Sequence, residues 1–76
     1  MSASKTIKRI MLDKEISVKV LAEKLGITSP VLSNKLYRDT FSYNEYVKIA
    51  DILDCDVKTI SRGTNNEYIN EVGNNK

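Results

Sequence analysis

The chain has 76 residues, 12 Lys/Arg against 10 Asp/Glu, a formal net charge of +2, a single Cys and no His. A chain this short forms one domain and buries only about 60% of the surface its unfolded form exposes, which leaves little room for an enclosed substrate cavity. One cysteine without a histidine supplies neither an intramolecular disulfide nor a zinc site, so a reducing cytosol, no cofactor, no metal and no small-molecule ligand are expected.

With only three Gly and one Pro, most of the chain lacks turn punctuation and reads as helix. Residues 5–15 place Ile7, Ile10 and Met11 at i, i+3, i+4 with Lys and Arg around the rest of the wheel, the pattern of an amphipathic first helix. Ser4 is the expected N-cap. No apolar run follows the N-terminal lysines, so a signal peptide is not expected, and no stretch approaches the ~20 apolar residues of a membrane span.

A second helix begins after Ser17, another capping type, and runs to Leu25, where Gly26 provides a left-handed end. Thr28 caps a third helix opening at Ser29-Pro30 and running to about Tyr37, since proline costs little in a first turn. Ser42-Tyr43-Asn44-Glu45 has the S-x-x-E form of a capping box. The helix it opens carries Tyr46, Ile49, Ala50 and Leu53 on one stripe and ends at Asp54-Cys55-Asp56. Cys55 is expected as a small buried hydrophobe.

Beyond Asp56 two readings stand. Val57 and Ile60 suit one turn of a fifth helix, the favoured choice; alternatively residues 57–61 form a strand that pairs with Tyr68 to Val72 across Gly63-Thr64-Asn65-Asn66. The last residues, Gly73 to Lys76, have nothing to bury and are expected to be disordered. The division is thus a domain over 1–62 and a partly disordered tail over 63–76.

Charge is unevenly spread, with eight Lys/Arg against three Asp/Glu in residues 1–38 and four against seven in residues 39–76. A basic face toward a polyanion and an acidic face away from it would produce this asymmetry.

Within residues 17–36, two short helices joined through Gly26 make a helix-turn-helix pattern: Ala22 is small where the third helix crosses the second, and Leu21, Leu25, Leu32 and Leu36 fasten the pair. Val20-Leu21-Ala22-Glu23-Lys24-Leu25-Gly26-Ile27-Thr28 followed by Leu32-Ser33-Asn34-Lys35-Leu36 resembles the lambda repressor-like, Cro/C1-type (XRE-like) family. Ile49-Ala50-Asp51-Ile52-Leu53-Asp54-Cys55 extends the likeness to about residues 5–60. The resemblance implies an all-α, compact domain of four to five helices with a helix-turn-helix at helices 2 and 3, and a short C-terminal tail that is a strand or hairpin if not helical.

It further implies a small bacterial or phage transcriptional regulator, most simply a repressor, that binds double-stranded DNA in the cytosol or nucleoid as a homodimer and is not an enzyme. Helix three is then the recognition helix in the major groove. On that basis Ser29, Pro30, Val31, Ser33 and Asn34 are the base-reading candidates, with Asn34 able to bond adenine N6 and N7 and Val31 to meet a thymine methyl. Ser17, Lys19, Thr28, Lys35, Arg38, Thr40 and Tyr43 are the phosphate-binding candidates, helped by the first amides of helices two and four.

The sequence departs from the family pattern at Val18 and Val20, where polar residues are usual, and at Leu36, where glutamate is common and where packing on Met11 is expected instead. Two exposed valines would suit a protein interface. They favour the alternative function, an interaction module such as an antirepressor or the antitoxin of a toxin pair.

Overall fold

The computed structural model describes residues 2–70: four helices, α1 (Ala3–Lys14), α2 (Val18–Leu25), α3 (Ser29–Arg38) and α4 (Tyr43–Ile52), then two strands, β1 (Val57–Ile60) and β2 (Glu67–Asn70). The disorder expected at 73–76 lies outside the described residues.

Each helix starts at a hydroxyl that accepts from a first-turn amide. Ser17 Oγ takes Val20 N–H at 3.2 Å, Thr28 Oγ1 takes Val31 N–H at 3.4 Å and Ser42 Oγ takes Glu45 N–H at 3.1 Å. Glu45 completes the capping box by accepting from Ser42 N–H at 2.8 Å, so two of the four unpaired first-turn donors are satisfied reciprocally. The cap expected at Ser4 belongs instead to Ser2, whose Oγ accepts from Lys5 N–H. Ser4 lies inside the first turn and is buried. The displacement has a tertiary cause, because Asp39 Oδ1 accepts from Ser4 N–H at 2.9 Å and takes over a capping role from 35 residues away.

Helix ends use left-handed residues, glycine in one case and carboxylates in others. Gly26 ends α2 at φ 76°, Glu15 ends α1 at φ 56° and Asp39 ends α3 at φ 58°. Glu15 and Asp39 carry a Cβ in that conformation, which costs roughly 1–2 kcal/mol per residue.

The core forms where the apolar stripes meet. Ile7 and Met11 of α1, Leu21 and Ala22 of α2, Leu32 and Leu36 of α3, and Ile49 with Leu53 at the end of α4 make one buried cluster. Leu36 and Met11 share it, as their expected pairing requires. Tyr46 and Cys55 pack against its edge half-buried, while Tyr43 is exposed. Val18, expected to be exposed, packs half-buried against this cluster, so only Val20 of the pair stands open, at 39% exposure. The shift follows from helix phase: Val18 lies three residues before Leu21 and on its face.

The helix favoured for residues 57–60 is a strand. β1 pairs antiparallel with β2 in the register Val57↔Asn70, Lys58↔Ile69, Thr59↔Tyr68 and Ile60↔Glu67. Three β-branched residues in four positions, Val57, Thr59 and Ile60, favour the extended form, and a single turn of isolated helix would not repay its nucleation. The turn closes through Ser61 N–H to Asn66 O and Asn65 N–H to Ser61 O, with Asn65 rather than Gly63 in the left-handed region. At the root, Cys55 N–H donates to Ala50 O at 2.8 Å, anchoring the hairpin to the end of α4.

Candidate nucleic-acid interface

The phase of α3 is fixed by Leu32 and Leu36, which are 0% and 5% exposed. At 100° per residue, the face opposite these two is centred on Asn34, with Pro30 and Tyr37 on one side of it and Val31 and Arg38 on the other. All five of those side chains are exposed, as is Ser33 at the margin. Ser29 falls toward the core side and is half-buried, which makes it the least outward of the base-reading candidates. Val31 and Asn34 therefore share a surface that no other element among the described residues covers.

Tyr37 completes that surface and was not anticipated. It is 87% exposed and lies three residues after Asn34 and four after Ser33, one turn further along the same face. The spacing from Leu36 already carried this signal, since a residue next to a buried leucine and one turn from Asn34 has to face outward.

α2 and α3 pack directly on each other, and α1 braces α3 from behind. Two polar ties hold the C-terminal end of α3. Asp39 fastens it to the start of α1, and Lys35 Nζ meets Glu45 Oε2 at 3.0 Å, fastening it to the start of α4. The Ser4 amide, which donates to Asp39 Oδ1, holds that carboxyl below its ordinary pKa. Glu45 is likewise lowered, first by the Ser42 amide and then by Lys35.

The phosphate candidates fall into two groups. Ser17 and Lys19 stand at the start of α2, and Thr28 at the start of α3; the two hydroxyls serve as caps through their oxygen and keep an O–H to donate elsewhere. Lys35, Arg38, Thr40 and Tyr43 lie along the α3–α4 connection, where all but Lys35 are exposed. Lys35 is held by Glu45 and is the one candidate already paired. The same glutamate sits in the first turn of α4 and places a negative charge at its N-terminus. Of the two helix starts expected to attract an anion, that of α2, with no acidic residue in its first turn, is the more favourable.

Among the described residues no group of acidic, His or Cys side chains could hold a metal ion. A depression of about 170 Å³ between α2, α3 and α4, floored by Leu25, Ile27, Phe41 and Ile49, is smaller than the ~300–1,000 Å³ of ordinary ligand sites. Among the described residues no helix is long and apolar enough to cross a membrane.

Residues 6–66 match the model of a Cro/C1-type HTH DNA-binding domain. Comparison with curated proteins and with solved structures gives no match.

Proposed function

We propose that this chain, which belongs to the Cro/C1-type helix-turn-helix DNA-binding family, is a sequence-specific repressor of bacterial or phage origin that works in the cytosol or nucleoid and lays α3 in the major groove. Its support is one observation: the face of α3 opposite Leu32 and Leu36 is uncovered and carries Pro30, Val31, Asn34 and Tyr37. Asn34 offers the donor and acceptor that adenine N7 and N6 require. Val31 and Tyr37 offer apolar surface for a thymine methyl beside it, and Ser33 a hydroxyl that suits either base type.

Phosphates are gripped from both ends. Ser17, Lys19 and Thr28 hold one strand at the start of α2 and α3, while Arg38, Thr40 and Tyr43 hold the other beyond the end of α3. These contacts position the domain and carry no sequence information. Lys35 joins them by leaving Glu45 or by sharing its ammonium between the two anions. Two copies related by a two-fold axis would address half-sites about 34 Å apart, one helical turn.

The test is binding to a mixed-sequence duplex as salt is varied, followed by selection from a random pool. About four to six phosphate contacts per subunit give an affinity that falls steeply with salt, and the selected sites should be inverted repeats. Absence of binding even at low ionic strength would contradict the reading and favour the interaction module, whose apolar patch here is reduced to Val20.

A further inference from the structure

The hairpin poses a separate question. A two-stranded antiparallel pair is marginal by itself in water, and in this one Val57, at the root, is half-buried while Lys58, Thr59, Ile60, Glu67, Tyr68 and Ile69 are exposed. Cross-strand partners share a face, so Val57, Thr59 and Tyr68 occupy the side on which Val57 is half-buried. Lys58, Ile60, Glu67 and Ile69 occupy the other side, and all four are exposed. Ile60 is 56% and Ile69 52% exposed.

These four side chains form a two-by-two grid. Lys58 stands opposite Ile69, and Ile60 opposite Glu67, so the isoleucines lie on one diagonal and the charges on the other. Along the charged diagonal Lys58 Nζ meets Glu67 Oε1 at 2.9 Å. Turning a second copy over by a half-rotation about the isoleucine diagonal puts Ile60 on its own counterpart and Ile69 on its own counterpart. The same rotation brings Lys58 over the second copy's Glu67, and Glu67 over its Lys58. No like charges meet. An isologous contact demands self-complementarity of this kind, and the grid meets it in both apolar pattern and charge.

We infer that the Lys58, Ile60, Glu67, Ile69 face of the hairpin is the homodimer interface, with a second copy of this chain docked on it about a two-fold axis along the Ile60–Ile69 diagonal. With strands about 4.8 Å apart and alternate residues about 6.8 Å apart, that axis makes the two hairpins cross at roughly 70°, near the orthogonal class of sheet packing. Four side chains cover much less than the ~800 Å² per partner of a standard interface. The dimer is therefore weak in free solution and is completed by the second half-site on DNA, where the two subunits act as one bivalent ligand. The inference rests on the dimeric reading above for its consequence on DNA, and the cross-linking that tests it is carried out without DNA.

The full chain carrying Cys55→Ser is given one new thiol at a time, Ile60→Cys, Ile69→Cys or Tyr68→Cys, and oxidised without DNA. A residue near the axis faces its own copy, so the first two variants should form disulfide-linked dimers about tenfold or more faster than Tyr68→Cys, whose thiol lies on the opposite face, since exchange between thiols depends on access. Equal rates in all three, or the fastest rate at Tyr68→Cys, would overturn the inference. Duplex binding by the unlinked Cys55→Ser chain is measured alongside: its loss would count against the proposed function, whereas slow cross-linking with intact DNA binding would count against this interface alone.

Discussion

Asp39, exposed, and Glu45, half-buried, act as helix caps and as ties to α3 at once. Both have their pKa lowered in the folded chain, Asp39 first by the Ser4 amide and Glu45 first by the Ser42 amide. A lowered folded-state value means the stabilisation is fully present above the ordinary carboxylate value and disappears as pH falls through the folded one. Acid denaturation monitored by circular dichroism should therefore steepen below pH 3.8, the ordinary value for Asp39. Asp39→Asn should remove part of that dependence; an unchanged acid limb would mean that the Ser4 tie carries no stability. Glu45→Gln tests the other tie: glutamine keeps the capping-box bond in kind but frees Lys35 from its ion pair. Affinity for all duplexes should rise alike and the salt slope grow by up to about one, whereas no change would show that Lys35 reaches no phosphate. Val18 and Ser4 mark where single residues were misread. The phase of Val18 against Leu21, not the family pattern, decides its burial, and Ser4 yields the cap to Ser2 because Asp39, distant in sequence, satisfies its amide.

At the scale of elements, the local signals that placed α2, α3 and α4 are capping hydroxyls, a glycine stop and a proline in a first turn, all acting within a few residues. They were legible for that reason. Their weight can be measured: Ser42→Ala removes the cap of α4 and should cost ~1 kcal/mol, lowering the melting temperature by about 4–8 °C for a domain of this size. Gly26 ends α2 in the left-handed region, and a Cβ added there meets nothing within 4 Å. Gly26→Ala should thus cost only the backbone strain, roughly 1–2 kcal/mol, and leave the α2–α3 angle and the DNA preference intact. A larger loss, or altered base preference, would mean that the turn requires glycine for space as well as for φ. The hairpin was harder to read because residues 57–60 are too few to show a period, and the pairing that decides between helix and strand comes from residues 67–70. Tyr37 differs: its outward position follows from Leu36 and Asn34, but the family resemblance assigns base reading to the start of α3 and only phosphate contacts, Lys35 and Arg38, to its last turn.

For the whole molecule, a core built from a few residues of each helix has little redundancy. Leu21 and Leu32 are both 0% exposed and join α2 to α3, and truncating either to alanine should cost ~2–5 kcal/mol, comparable with the entire stability of a small domain. Chemical denaturation would show Leu32→Ala largely unfolded at room temperature, and a midpoint close to that of the unaltered chain would mean that α3 is held by something other than this core. The helix-turn-helix arrangement follows from that leucine packing, and with it the outward direction of Asn34. The bases that Asn34 meets do not follow, because the identity of a contacted base depends on the docking angle and on the duplex.

The most direct measurement is therefore the affinity of the unaltered chain and of Asn34→Ala for a set of duplexes in which each base pair of a selected site is replaced in turn. With α3 in the major groove, Asn34→Ala should flatten the preference at one position of each half-site, by ~1–3 kcal/mol, and leave the rest of the profile as it was. An equal loss at every position, or an unaltered profile, would contradict the placement of this face against the bases.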